Sequence, residues 1–179
     1  MRKTEILNKI KNGNVFIYPT DTIYGIGCNA LLTDSVKEIR LIKNRPKSPF
    51  SIIVPSKQWI FDNCILTNEQ KEEIETKLPG PYTFIIELNN KCEISKSINP
   101  KDNTIGLRIP DHYITDIVKE LGVPIVTTSA NKHGEQFMTS IENLDSDIEN
   151  EVEFMIYDGE KTAKPSKIIN FVTEEVIER

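Results

Sequence analysis

Apolar residues recur along this chain in two rhythms. In the helical rhythm, Ile6, Leu7 and Ile10 share one face of a helix expected over residues 4–12, with Gly13 placed to end it. Val36, Ile39 and Ile42 repeat at three-residue spacing in a second helix expected over 34–43. Thr67-x-x-Gln70 has the form of a capping box and opens a polar helix that runs to Lys77, where Pro79-Gly80-Pro81 is a hard stop. A further helix is expected over 113–121, ended by Gly122. The second rhythm is that of short β-branched runs. Residues 15–18 (ended by Pro19), 50–54, 83–88, 104–109, 124–128, 154–157 and 168–172 read as strands. The acidic stretch 140–153 is a candidate helix, with a solvated face as the simplest account of its charge.

Strands alternating with helices imply an α/β domain with helices packed on a central sheet. The alternation is imperfect, because no helix pattern separates 83–88 from 104–109. The expectation is therefore a mixed sheet rather than a doubly wound parallel one.

Ligands of such sheets bind outside strand ends, where backbone amides and loop side chains converge. Four junctions qualify. The first is Pro19-Thr20-Asp21-Thr22-Ile23-Tyr24-Gly25-Ile26-Gly27; taken alone it reads as a turn with a self-bonded Asp, since no GxxxxGK[ST] spacing is present. The second is Lys43-Asn44-Arg45-Pro46-Lys47. Its cations could complement a helix C-terminus, but they exceed what a helix end needs and tilt the reading towards an anion clamp. The third is Thr104-Ile105-Gly106-Leu107-Arg108-Ile109-Pro110, which sets Thr104, Gly106 and Arg108 on one surface and the aliphatic residues on the other. A glycine weakens a strand, so its presence argues for a close approach there. The fourth is Thr127-Thr128-Ser129-Ala130-Asn131, either a turn or a set of neutral hydrogen-bonding groups for a polar small molecule. No junction contains a nucleophile–base pair or paired carboxylates. Chemistry in a cationic, hydroxyl-lined pocket rests on positioning and on stabilising phosphate charge.

Composition narrows the field. At 179 residues the chain fits one domain, 1–179. No run approaches about 18 uninterrupted apolar residues, and MRKTEILNKIKNGN has no apolar h-region, so neither membrane insertion nor export is expected. The net charge of -5 gives no global basic footprint, and only five of the 22 cations are arginine, which makes each arginine informative. Cys28, Cys64 and Cys92 have no CxxC spacing and read as reduced thiols of a cytoplasmic protein; with two histidines, His112 and His133, no metal centre is expected.

The segments PTDTIYGIGCNA, KNRP, PGPYTFII, TIGLRIPDH, TTSANKHGE and PSKIINF occur in an order that resembles the YrdC/TsaC-like threonylcarbamoyl-AMP synthases over residues 13–170. Six ordered motifs together are specific where one alone is weak. The resemblance is to the short, single-domain form. It implies a twisted mixed β-sheet with flanking helices and a basic concave cavity. It also implies a reaction in which L-threonine, bicarbonate and ATP give threonylcarbamoyl-AMP and pyrophosphate. The product would pass to a threonylcarbamoyl transferase complex that modifies tRNA, and Mg²⁺ would enter through the ATP phosphates.

Residue by residue, the resemblance gives Lys43 and Arg45 as catalytic phosphate contacts. It gives Thr104, Asn131, Thr139 and Arg179 as further ATP contacts, and Thr22, Arg108, Ser129 and Ser166 as L-threonine contacts. The chain departs from the family pattern in three places. Lys167 stands where a threonine is usual, KNRPKSPF is one residue shorter than KxRPxxxPL, and the late arginine is represented only by Arg179. Two rival readings are a double-stranded RNA or tRNA-binding module that uses the same concavity, and a carbamoyl-adenylate-handling relative like the domain of hydrogenase maturation proteins.

Overall fold

The computed structural model describes residues 1–178. Its elements in order are α1 (Lys3–Lys11), β1 (Phe16–Tyr18), β2 (Gly25–Gly27), α2 (Thr33–Ile42), β3 (Ser51–Ile53), α3 (Lys57–Asn63), α4 (Asn68–Lys77), β4 (Tyr82–Glu87), β5 (Thr104–Arg108), α5 (Ile114–Leu121), β6 (Ile125–Ser129), α6 (Ser146–Glu151), β7 (Phe154–Met155), β8 (Lys167–Asn170) and β9 (Glu175–Ile177). The strands form one sheet in the order β7-β1-β2-β6-β3-β5-β4-β8-β9. β1/β7, β3/β5 and β4/β8 pair parallel and the remaining neighbours antiparallel, so the sheet is mixed, as the imperfect alternation predicts.

Helix ends follow their local chemistry. The Thr67 hydroxyl accepts from the Gln70 amide at 3.3 Å and the Gln70 side chain accepts from the Thr67 amide at 3.0 Å, completing the expected capping box. Gly122 ends α5 in the left-handed region at φ 77°, which a glycine adopts without the Cβ clash. The acidic stretch becomes a 3₁₀ turn at Ile141–Asn143 followed by α6, whose N-cap Asp145 accepts from the Asp147 and Ile148 amides. Three elements have no counterpart in the sequence reading. α3 is a short helix capped by Ser56, β9 is an exposed three-residue strand, and β2 lies inside what reads as a glycine-rich turn.

β2 is a strand because its glycines make room for a ring. Gly25 and Gly27 pair with Tyr18 and Phe16, and a Cβ on Gly27 would sit 2.2 Å from the Val126 carbonyl and 2.8 Å from the Tyr18 ring. Tyr18 is fully buried under this pair and donates its hydroxyl to the Val126 carbonyl at 3.2 Å.

Two apolar clusters cover the sheet unequally. Val36, Ile39, Ile60 and Ile74, from α2, α3 and α4, pack with Ile17, Ile26, Ile52, Phe84, Leu107 and Val126. On the other face α1 and α5 contribute Ile6, Leu7, Ile10, Ile114, Ile117, Val118 and Leu121, which pack on Phe16, Tyr18, Ile53 and Ile125. That second layer covers only part of its face. The uncovered part carries Ser129, Thr127, Ser51, Gly106 and Ile85, joined across adjacent strands by the register Thr127–Ser51–Gly106–Ile85. β7 and β8 lie near opposite edges of the sheet, so the connection 156–166 crosses this open area.

Candidate active site

The open area is the floor of a cavity of about 310 Å³, lined by Thr20, Thr22, Ile23, Arg45, Phe50, Ser51, Thr83, Ile85, Thr104, Gly106, Arg108, Thr127, Ser129, Pro165 and Ser166 among others. All four sequence junctions contribute to it, so residues from 20 to 166 meet in one hollow. Among the described residues its lining has two cations, Arg45 and Arg108, and no carboxylate.

One wall surrounds Arg108, which the β5 alternation directs into the cavity while Ile105 and Leu107 join the core. Its Nη2 donates to Asp21 Oδ1 at 2.8 Å and to the Thr22 hydroxyl at 3.2 Å, and its Nε is buried without a hydrogen-bond partner. Burial lowers the Arg108 pKa, opposed first by the Asp21 charge, yet a guanidinium stays cationic throughout. Asp21 also accepts from the Asp111 amide at 3.0 Å. It is therefore a cross-chain tie, not the self-bonded turn residue that its setting suggests. Thr20 orients Thr22: its hydroxyl lies 2.9 Å from that of Thr22, accepts from the Thr22 amide and donates to the Ile23 carbonyl. On the facing strands, the hydroxyls of Thr83 and Ser166 are 2.7 Å apart and both residues are buried.

The other wall is made of loops. Arg45 follows Asn44, which adopts a left-handed φ of 48°, and donates from Nη2 to the Pro49 carbonyl at 2.8 Å. Its guanidinium carbon lies 5.4 Å from the centre of the Phe50 ring, and its Nε is buried without a partner. Burial, then the nearby Arg40, lowers the Arg45 pKa. Arg40 laces this loop by donating to the carbonyls of Arg45, Ser48, Ser97 and Ile98. No pattern in the sequence distinguishes Arg40 from an ordinary helix-surface cation. Thr104, at the cavity edge, donates its hydroxyl to Asp102 Oδ1 at 2.6 Å.

Three predicted contacts lie behind or beside the lining rather than on it. Lys43 is 1% exposed, and its amine donates to the Ser129 carbonyl at 2.5 Å, to the Asn131 carbonyl, and to Asn131 Oδ1 at 3.3 Å. Asn131 Oδ1 also accepts from the Ser129 hydroxyl, while its Nδ2 donates to the Glu135 carbonyl at 2.6 Å. Thr139 accepts from Asn143 Nδ2 at 3.0 Å, and its carbonyl accepts from the Lys161 amide at 2.9 Å. Arg179 lies outside the described residues. Lys167 pairs with Glu178 at 2.9 Å while its neighbours Ser166 and Ile168 line the cavity, so this departure from the usual pattern leaves the lining unchanged.

The crossing connection is fastened beside the cavity. Asp158 pairs with His112 at 2.9 Å and with Lys161 at 2.7 Å, and Tyr24 donates to the Gly159 carbonyl at 2.7 Å. Tyr157 stacks on Tyr24 with ring centres 5.6 Å apart. Asp158 and Tyr157 stand out in no motif, because their role exists only once residues 112, 24 and 158 are folded together.

The Sua5_yciO_yrdC family model (Telomere recombination) matches residues 8–179. The chain belongs to this family. A Methanocaldococcus jannaschii relative, named "Putative threonylcarbamoyl-AMP synthase", is 39% identical over 177 residues, covering 97% of this chain and 82% of the relative. The Vibrio campbellii threonylcarbamoyl-AMP synthase is 26% identical, covering 97% and 96%. P. abyssi Sua5, solved in complex with L-threonine, superposes with a TM-score of 0.84 at 28% identity, covering 95% of this chain and 51% of its own. This member of the Sua5/YciO/YrdC family thus spans about half the length of that Sua5 chain, and most of the length of the M. jannaschii and V. campbellii relatives.

Proposed function

We propose that this chain is a threonylcarbamoyl-AMP synthase, joining L-threonine, bicarbonate and ATP into threonylcarbamoyl-AMP with release of pyrophosphate. The observation that carries this reading is the convergence of Thr22, Arg108, Ser129 and Ser166 with Arg45 and Thr104 on one cavity. A fixed guanidinium ringed by hydroxyls suits a zwitterionic hydroxy-amino acid: Arg108 takes the carboxylate, while Thr22, Ser129 and Ser166 offer neutral hydrogen bonds. The second cation, Arg45, lines the same cavity and suits the phosphates of a nucleoside triphosphate.

The chemistry follows from charge. The threonine amine and bicarbonate condense to an N-carboxylate with loss of water. One carboxylate oxygen attacks the α-phosphorus of ATP and pyrophosphate leaves. Seating the amino acid on Arg108 makes that attack effectively intramolecular, and Arg45 offsets charge building on the phosphates. Thr104 holds the remainder of the nucleotide from the cavity edge, with Asn131 and Thr139 beside the lining. With no carboxylate in the described lining, Mg²⁺ would be held by phosphate oxygens and water. The activated carbamate then serves a transferase that modifies tRNA.

The deciding experiment is pyrophosphate release with ATP, bicarbonate and each amino acid in turn. Threonine-dependent release is expected. Release that ignores threonine would point to another carbamoyl-adenylate chemistry. Salt-sensitive RNA binding without any release would point to an RNA-binding module.

A further inference from the structure

Lys43 stands in the basic KNRP segment, where a phosphate contact is the expected role, but its surroundings have a different character. It caps the C-terminus of α2, is almost fully buried, and does not line the cavity. All the partners of its amine belong to the end of β6 and the loop leaving it: the Ser129 carbonyl, the Asn131 carbonyl and Asn131 Oδ1. The Lys43 carbonyl accepts from the His133 amide at 3.2 Å, so the helix end and the loop are joined in both directions. An ammonium has three donors, and three oxygens surround this one.

We infer that Lys43 is a positioning residue, whose buried ammonium ties the end of α2 to the carbonyls of Ser129 and Asn131 and thereby sets the loop that presents those two side chains to the substrates. The inference rests on the proposed reading in which Ser129 seats threonine and Asn131 the nucleotide. Reaching a phosphate would require the amine to abandon these acceptors, depriving the Asn131 carbonyl of this donor and leaving the Ser129 carbonyl only the Asn131 amide, 3.0 Å away. Burial, then the Arg45 cation, lowers the Lys43 pKa to about 7, while the facing oxygens favour the charged form.

A phosphate contact and a loop anchor differ in what they do to threonine when no nucleotide is present. The test is calorimetric threonine binding without nucleotide, together with the KM for ATP and amide exchange across residues 129–133, for K43M, K43Q, R45A and S129A. K43Q covers the case in which K43M does not fold, and K43R, which keeps charge and donors, is expected to restore binding. For the neutral variants, threonine Kd should rise about tenfold, amide exchange at 129–133 should quicken, and the KM for ATP should rise as well. R45A should raise the KM for ATP alone. A neutral variant that leaves threonine Kd within about twofold while mimicking R45A overturns the inference and returns Lys43 to the phosphates. If S129A leaves threonine binding intact, the proposed seat for threonine fails instead. The exchange data then decide Lys43 alone, and unchanged exchange at 129–133 overturns it.

Discussion

The two ends of the cavity are built by opposite means. Around Arg108 the polar groups stand on strands or immediately beside them, are buried, and satisfy one another side chain to side chain: Asp21 with Arg108, Arg108 with Thr22, Thr22 with Thr20, Thr83 with Ser166. Around Arg45 they stand on the end of α2 and the loop that follows it, and are held by backbone carbonyls, as Arg40, Arg45 and Lys43 each show. The first end is a finished receptor for a small zwitterion, whose shape depends on the sheet. The second is an open rim, whose loops can yield to a large, charged nucleotide. Removing a group from the first end should therefore cost both stability and binding, and removing Arg45 from the second should cost activity alone.

The largest expected effect is at Arg108. Arg108→Gln leaves the Asp21 carboxylate buried and unpaired, and breaking such a pair costs about 3–5 kcal/mol. Urea unfolding should show that loss and calorimetry should show threonine binding abolished; a variant as stable as the parent would contradict the account of this end. Arg45→Ala should lower kcat/KM for ATP by the equivalent of about 1.5–3 kcal/mol, the range for a hydrogen bond to a charged group. Its unfolding free energy should stay within about 1 kcal/mol of the parent, because the half-buried side chain donates one hydrogen bond, to the Pro49 carbonyl, and a larger drop would erase the contrast between the two ends.

Gly27→Ala sharpens the comparison without touching a polar group. The new methyl would press on the Val126 carbonyl and on the Tyr18 ring, and should cost about 1–3 kcal/mol. Threonine affinity should fall with it, because Ser129 pairs with Gly25 on the adjacent strand. Thr83→Val removes one hydroxyl from the Thr83–Ser166 pair and should weaken threonine binding by about 1 kcal/mol, with ATP parameters unchanged.

The smallest effect concerns the crossing connection. Burial acts to raise the Asp158 pKa, but hydrogen bonds from Lys161 and His112 outweigh it and hold the carboxyl below its usual range. A carboxyl with a depressed folded-state pKa stabilises the fold above its unfolded pKa, and loses that contribution as pH falls through the folded value. The parent should lose under about 1 kcal/mol on acidification below about pH 4 through this group, and Asp158→Asn should lack that component in unfolding curves recorded against pH.

Much of the strand-built end was legible beforehand. Period-two alternation in TIGLR places Thr104, Gly106 and Arg108 on one surface, and the structure puts all three on the cavity. The helix stops at Gly13, Gly122 and the Thr67 capping box follow from local backbone chemistry alone, so short-range sequence suffices for them. β2 escaped because glycines weaken a strand unless a neighbour needs the space, and that neighbour, Tyr18, becomes relevant only once the hairpin pairs. Asp21 was misread for a similar reason: its partner Arg108 is 87 residues away.

The loop-built end was legible as composition but not as geometry. Two lysines and an arginine in KNRPK announce a concentration of positive charge, yet only Arg45 of them lines the cavity. Which cation faces the hollow and which faces a carbonyl depends on where the β6 exit passes the end of α2.

By itself, then, the chain's sequence determined the element types apart from α3, β2 and β9, the mixed character of the sheet, the inventory of hydroxyls and guanidinia, and the family to which they belong. Periodicity, capping and motif order are all carried by nearby residues or by their linear succession. Only the tertiary structure decided that α1 and α5 leave part of one sheet face bare, that residues 20 to 166 close around it, and that Lys43 turns inward to bind backbone. Each of those outcomes is a competition for burial and hydrogen-bond partners between segments far apart in the chain, and such a competition has no local signature.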